Sequence, residues 1–478
     1  MLGGQLMIKQ AVDFVLDLGP SIMLPIIMTV FGLLLRQGFK KSLTAGITIG
    51  IGFIGVNLVI GLLSGAIGPA AQAMVEKLGL NLDILDVGWP IGAAISFGTP
   101  VAPLMIPLVL VLNVIMLSTN LTKTLNVDIW NFWHLIFAAS VTYYAYDNMI
   151  LAIAVGLIVS AITLKLADWT APAVEHHFGL KGVSMAHSET VNFAPITYAS
   201  NRIVDKIPGI NKIEADPETL KKRFGIFGEP LVMGLVLGLL IGFLGGYDAK
   251  GILTLGIQMS AVLILMPRMV ALLMEGLIPI SEGARDLINK KFPGKNVYIG
   301  LDTAIVIGTA SNMAVALIMV PITLLLAVIL PYNGMLPFAD FAVLPFTVVW
   351  AVAAARGNII RGIINSIVTL MIVFFIATNL ADLATTMGRA VGFDFPEGAT
   401  QISGIDLGSH VIPWIIVRLL DPSNPYFIAA IFAALAYCLL WYWVRNDIKR
   451  QYAKEMGLDA KTLKPVEAVQ ENENAYKA

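Results

Sequence analysis

The chain repeats itself, and the second copy carries its loop charges the other way up. Reading residue n against n + 210 pairs Pro20 with Pro230, Met23 with Met233 and Gly32 with Gly242. The same register pairs Lys40 with Lys250, Gly46 with Gly256, Ile47 with Ile257, Leu62 with Leu272, Leu63 with Leu273, Pro69 with Pro279 and Asn148 with Asn358. Leucine and isoleucine matches come cheaply in an apolar chain; proline, glycine, lysine and asparagine matches in one register do not. In the first copy the loop after the first apolar segment is basic (Arg36, Lys40, Lys41), and the next is acidic (Glu76, Asp83 and Asp86 against Lys77). In the second copy Asp248 and Lys250 cancel, while Arg285, Lys290, Lys291 and Lys295 outweigh Glu282 and Asp286. Positive residues concentrate in cytoplasmic loops of membrane proteins. Two copies of opposite orientation are therefore expected to fold around a site between them, as transporters do.

Composition agrees. Of 478 residues, 57% are hydrophobic and 13% charged, against roughly 25% charged in soluble domains, and the mean hydropathy is +0.81. Several stretches reach the ~20 apolar residues that span a bilayer. A net charge of −1 gives no basis for nucleic-acid binding. The one cysteine, Cys438, lies in an apolar segment, so neither a disulfide framework nor a cysteine metal site is expected. Met1 to Asp17 lacks the ordered parts of a removable leader.

The fold class expected is an all-α polytopic membrane protein with about eleven transmembrane helices in two inverted repeats. Helices read at about 20–35, 43–67, 102–119, 132–146 and 148–166, and again at about 230–245, 252–280, 313–331, 340–355 and 362–380, with a last one near 425–444 and a short lead-in at 410–420. Between second and third helices each copy holds a segment too broken by Gly, Pro and Thr to span, 88–103 and 300–315. Irregular backbone at membrane depth survives only when protein buries it or it lines a cavity, so both read as re-entrant hairpins facing a central site. The expected division is a first repeat 18–166, a cytoplasmic linker 167–228, a second repeat 229–380, an external loop 381–409, a last helix 410–444 and a cytoplasmic tail 445–478. An odd number of helices per copy inverts the second, putting the N-terminus outside and the C-terminus in the cytoplasm. Within the linker, 184–200 is less polar than its surroundings and is a segment that can fold back toward the membrane.

Ionisable groups at membrane depth are functional candidates by default. Asp302 opens the second hairpin, either binding a substrate hydroxyl and taking its proton, or capping backbone N–H groups. Thr303 lies beside it. Ser96, Thr99, Ser311 and Asn312 at the hairpin tips suit a polyol, and equally suit the needs of broken backbone. His134 follows the run 130-WNFWH-134, in which the Trp residues read either as sugar-stacking rings or as interfacial anchors. His187 with Ser188 and Glu189 lies in the linker, where a histidine is often simply solvated. His176 and His177 read as solvated, His410 lacks an evident partner, and Asp147, Asn148, Arg356 and Asn358 read as helix caps. No phosphate-binding Gly-rich loop with Lys-Ser/Thr occurs, no His/Glu metal spacing is present, and no cofactor is expected.

At 86-DVGWPIGAAISFGTPVAPLMIPLVLVLNVIML-117 and 130-WNFWHLIFAASVTYYAYDNMILAI-153 the chain resembles the membrane component (enzyme IIC) of the galactitol phosphotransferase system. The likeness extends over all but the tail, and the wider superfamily includes the ascorbate component. The resemblance implies eleven helices, inverted repeats, two re-entrant hairpins, a core domain against a dimerising V-shaped domain, and a homodimer in the bacterial inner membrane. It implies an alditol substrate moved by an elevator-like step and phosphorylated at the inner face by a phosphocysteine on a separate IIB protein, itself charged through IIA. It also implies substrate-binding roles for His134, for His187 with Ser188, and for Asp302, with Asp302 or His187 as the base. Ala138, one turn after His134, and the small Ser188 depart from the ascorbate pattern, in keeping with a different substrate. The competing reading is an ion-coupled secondary transporter of an unmodified polyol or carboxylate.

Overall fold

Residues 20–78, 84–126, 128, 131–213, 230–291, 297–337, 339–393 and 400–465 are described by a computed structural model. Trp130, the polar stretch 214–225, Asp394, Glu397 and the tail beyond 465 lie outside the described residues.

The first half begins with helices α1 (Pro20–Leu34) and α2 (Phe39–Leu78). Then come a short strand β1 (Ile84–Asp86), helix α3 (Gly88–Gly98) and α4 (Ala102–Ser118). Strand β2 (Thr124–Asn126) leads into α5 (Phe132–Tyr146) and α6 (Met149–His177). Strand β3 (Val183–Met185), the single turn α7 (Ser188–Val191) and α8 (Ala194–Val204) follow. The second half runs α9 (Pro230–Leu244), α10 (Ala249–Lys291), β4 (Tyr298–Leu301), a 3-10 turn Thr303–Ile305 and α11 (Ala310–Ile329). Strand β5 (Met335–Leu336), α12 (Leu344–Thr347), α13 (Val349–Ala354) and α14 (Ile359–Ala390) come next. Strand β6 (Gln401–Ser403), α15 (Ile405–Gly408), α16 (Val411–Leu419), α17 (Phe427–Val444) and α18 (Asp447–Gln451) complete it.

The protein is mostly helical, 72% by residue, with no closed sheet. Among the described residues four helices are long and apolar enough to cross a membrane by length and composition: Met149–His177, Ala310–Ile329, Ile359–Ala390 and Phe427–Gln451. Helices satisfy their own backbone groups, which a lipid interior demands. Three pairs of helix starts lie 210 residues apart: Pro20 and Pro230, Phe39 and Ala249, Met149 and Ile359. Asn148 and Asn358 cap the last pair identically, each side chain accepting at 3.0 Å from the backbone N–H three residues on. The cap reading of these asparagines holds.

Helices α1, α2, α9 and α10 pack chiefly on one another. Glycine makes this possible: a Cβ on Gly238 of α9 would lie 2.5 Å from the Leu255 carbonyl oxygen of α10, and one on Gly234 would lie 2.8 Å from the Met259 oxygen. Small residues four apart let helix backbones approach closely where lipid removes the hydrophobic drive.

Two three-stranded parallel sheets organise the remaining elements. In one, β1 is central between β5 and β6; in the other, β4 is central between β2 and β3. Each central strand comes from one half of the chain and both its neighbours from the other. The halves are thus mutually inserted through their sheets. Asp168 of α6 holds the β2 edge, accepting from Lys123 N at 3.0 Å and Thr124 Oγ1 at 2.8 Å.

Several elements differ from expectation. Helix α6 continues past residue 166 to His177. The segment expected near 340–355 is a 3-10 turn, Ala339–Val343, followed by the two short helices α12 and α13. Within the expected linker, residues 183–201, which contain the stretch read as able to fold back, are largely buried. The stretch 381–409 is not one exposed loop: α14 extends to Ala390, and Ile402 to Ser409 is buried. In both places a strand-forming triplet finds its partner in the other half, which local composition does not report.

Candidate functional site

Both hairpin segments begin at the end of a central strand. After β1, Asp86 turns the chain, its Oδ1 accepting from Gly88 N at 3.0 Å and its Oδ2 from Asp340 N at 2.8 Å. Asp340 answers with Oδ1 to Trp89 N at 2.7 Å and Oδ2 to Asp406 N at 2.9 Å. These two buried carboxylates therefore anchor the N-termini of α3 and α15 by accepting orphan backbone donors. After β4, Asp302 makes the same local turn, its Oδ1 accepting from Ala304 N at 2.9 Å. Asp86 and Asp302 thus each accept from the backbone N–H two residues on, at the end of a central strand.

Asp302 does not only cap. The same Oδ1 lies 2.8 Å from His187 Nδ1. His187 follows β3, which pairs in parallel with β4, and this pairing delivers histidine and aspartate side by side. The other ring nitrogen, Nε2, lies 3.1 Å from Glu189 Oε2. With both carboxylates ionised, His187 needs an N–H on each nitrogen, which is the imidazolium form. Thr303 N and Asn131 Nδ2 approach Nδ1 at the longer distances of 3.3 and 3.4 Å. Thr303 Oγ1 bonds Thr190 Oγ1 at 2.8 Å, tying the second hairpin to α7. Ser188 Oγ is buried and has no hydrogen-bond partner among the described residues.

His134 comes from the first turn of α5, its ring centroid 4.7 Å from that of His187 and 3.9 Å from that of Trp133. Its Nδ1 is 3.2 Å from His410 Nε2 and 3.8 Å from Asp406 Oδ1. His410 Nδ1 faces the Asp406 and Leu407 carbonyl oxygens at 3.0 and 3.2 Å, so it carries the proton there and leaves Nε2 as the acceptor. Glu189 Oε1 and Asp406 Oδ1 are buried with no hydrogen-bond partner among the described residues. The ligand atoms of His134, Asp406 and His410, and those of His134, His187 and Glu189, fall within 4.8 Å of one another. Each set is already satisfied in large part by its internal bonds.

Of the expected residues, the structure gathers His134, His187, Ser188, Asp302 and Thr303. Thr99, Ser311 and Asn312 make other contacts. Thr99 Oγ1 bonds Ser96 O and Ser140 Oγ, each at 2.7 Å, fastening the end of α3 to α5. Asn312 Nδ2 serves the Ile307 and Pro345 carbonyls at 3.0 and 2.7 Å. Ser311 is half-buried beside the turn at Gly357. For Thr99 and Asn312 the backbone-satisfying alternative describes these contacts. His176 stacks on Tyr452 at 5.6 Å, and His177 sits against Phe178 at 4.6 Å.

Sequence reasoning missed Glu189, Asp406 and His410 as members of the cluster. Asp406 counted toward an external acidic loop, yet it is 3% exposed, and His410 is fully buried. The available signal was the spacing Asp406–His410, one helical turn, just after a triplet able to form a strand. A membrane protein with paired broken segments and a buried cluster of carboxylates and imidazoles between them is a solute permease in class.

The comparisons make the class specific. Residues 14–398 match the family described as PTS system sugar-specific permease component, and the chain belongs to that family. It is 38% identical over 448 residues to the PTS system galactitol-specific EIIC component of Escherichia coli strain K12, an alignment spanning 93% of this chain and 99% of that protein. The component of the same description from Escherichia coli O157:H7 matches to the same extent. The protein is thus an integral membrane permease component of a sugar phosphotransferase system.

Proposed function

We propose that the chain binds galactitol or a closely related alditol and presents it for phosphorylation by a cytosolic IIB phosphocysteine protein. The observation that carries this reading is His187 held at 2.8 Å by Asp302 and at 3.1 Å by Glu189, with His134 stacked beside it. An alditol is a chain of hydroxyls, each a donor and an acceptor. Carboxylates accept from hydroxyls, and imidazoles do either. Phosphoryl transfer demands little else than an aligned hydroxyl and somewhere for its proton. Asp302 takes that proton as the hydroxyl oxygen attacks phosphorus and the cysteine sulfur leaves, while His187, protonated on both nitrogens, holds the carboxylate in place. The phosphorylated product is too charged to return, which makes import one-way.

The duplication supports two inverted repeats: matched helix starts, twin asparagine caps, exchanged sheets, and Asp86 and Asp302 at equivalent turns. On this reading the unit of α1, α2, α9 and α10 is the scaffold and dimer interface, and the unit holding the site moves against it as an elevator. The chain then begins outside and ends in the cytoplasm of a bacterial inner membrane.

The test is uptake into vesicles, with and without the cognate IIB and IIA proteins and phosphoenolpyruvate. Galactitol is expected inside only as the phosphate, and only with the complete set. Free galactitol concentrated by a proton or sodium gradient would establish the ion-coupled alternative.

A further inference from the structure

Away from the site, an unused cluster of cations among the described residues lies where the last membrane helix ends. A cleft of about 510 Å³ is lined by Arg202 of α8, by Leu439, Tyr442 and Trp443 of α17, and by Arg445 and Arg450 beyond it. Arg202 Nη1 donates to the Trp443 carbonyl at 2.9 Å while its guanidinium lies 4.7 Å over the Trp443 ring. The Arg445 guanidinium lies 4.0 Å over the Tyr442 ring. Stacking on an aromatic face fixes a guanidinium plane and leaves its N–H edge free to fork onto an anion. One carboxylate competes: Asp447 Oδ1 is 3.6 Å from Arg202 and 3.7 Å from Arg450. Among the described residues none pairs with Arg445. Three cations against one anion leave the cleft positive.

The cleft also has an apolar wall. Helix α17 is only 11% buried over its apolar window, and Phe432, Leu435 and Leu439 are exposed along it. Tyr442 and Trp443 stand where that wall meets the charges, as aromatic residues do at a membrane interface. A ligand matching all three features carries a phosphate anion at the interface and acyl chains alongside the helix. A soluble phosphate ester uses the guanidiniums alone, and a zwitterionic lipid brings an ammonium into a positive cleft.

We propose that Arg202, Arg445 and Arg450, with Tyr442 and Trp443, form a site for the headgroup of an anionic phospholipid. The site joins α17 to α8, the helix that follows His187 and Glu189. Trp169 of α6 already bonds the Arg445 carbonyl at 2.9 Å, and Tyr437 bonds the Asn192 carbonyl at 2.9 Å. A bound lipid therefore fastens the last helix to the unit that carries the site. The inference does not depend on which sugar is carried or which way the chain faces.

The experiment is native mass spectrometry of the full-length protein in detergent, titrated with phosphatidylglycerol, phosphatidylcholine or glycerol 1-phosphate. Phosphatidylglycerol is expected to bind at least about fivefold tighter than phosphatidylcholine, since each basic residue contributes roughly that factor at a membrane surface. Arg445→Gln with Arg450→Gln is expected to erase the preference. Asp447→Asn, which removes the competing carboxylate, is expected to tighten phosphatidylglycerol binding, a gain that misfolding cannot produce. Equal binding of the two lipids, an unchanged preference in the arginine variant, or no tightening in Asp447→Asn overturns the proposal. Displacement of phosphatidylglycerol by an equal concentration of glycerol 1-phosphate overturns it too, marking a soluble phosphate-ester site instead.

Discussion

Replacing Asp302 by Asn separates the two tasks that one oxygen performs. Oδ1 caps the backbone N–H of Ala304 at 2.9 Å and pairs with His187 Nδ1 at 2.8 Å. Asn keeps an oxygen in place for the cap, and Asn and Asp are nearly equal as caps. What it loses is the charge and the capacity to take a proton. Deleting one partner of a buried ion pair typically destabilises by about 3–5 kcal/mol because a bare charge is left behind. Here Glu189, 3.1 Å from the other nitrogen of the same ring, still compensates His187. The expected destabilisation is therefore smaller, about 1–2 kcal/mol, the range of one hydrogen bond to a charged group. Removal of a general base lowers rate by about 10²–10⁴-fold. In reconstituted vesicles with phosphorylated IIB, Asp302→Asn is thus expected to insert, to melt within a few degrees of the parent, and to phosphorylate galactitol at least a hundredfold more slowly. Asp302→Ala loses the cap as well, a further ~0.5–2 kcal/mol. Phosphorylation by the Asn variant within threefold of the parent would refute the role of Asp302 in proton transfer. Equal stability of the Asn and Ala variants would refute the cap.

Glu189→Gln keeps the shape but not the charge against His187. It is expected to slow phosphorylation about 10–100-fold, the weight of one charge-assisted bond, read as the single-turnover rate with phosphorylated IIB; an unchanged rate would show that Asp302 alone orients His187. Asn148→Ala removes a cap that touches only Leu151, so about 1 kcal/mol of stability should go with no change in transport, measured by thermal unfolding and uptake together. Gly238→Leu places a side chain where a Cβ already lies 2.5 Å from the Leu255 oxygen. Overpacking of this kind usually amounts to about 1–3 kcal/mol or more, and the variant should be isolated in markedly lower yield, whereas Gly65, whose Cβ would meet nothing within 4 Å, should accept Ala without loss.

Much of the helical frame was legible because its causes are local. Pro20 and Pro230 start helices, Asn148 and Asn358 cap them, and apolar runs between such signals have no alternative to helix in lipid. Among the cluster's residues, Asp302 and His134 were legible because each stands out from apolar surroundings, and His187 with Ser188 through the family resemblance. Thr99 and Asn312 looked equally suitable at the hairpin tips, yet their contacts are with Ser140 and with backbone carbonyls. A hydroxyl or amide near broken backbone has two uses, and only the neighbours decide between them. Asp406 and His410 read as loop and lead-in because nothing within a few residues of them announces burial.

What the sequence by itself determined was a membrane-embedded, mostly helical chain and the family whose motifs it carries. What only the tertiary structure decided was which half supplies which strand. The pairing of β3 with β4 sets His187 against Asp302, and the pairing of β6 with β1 brings Asp406 and His410 to the same place from the far end of the chain. Three-residue strands have almost no propensity of their own. Their partners lie more than a hundred residues away, so they form only when the packed core brings them together, and the charges gathered there follow from that closure.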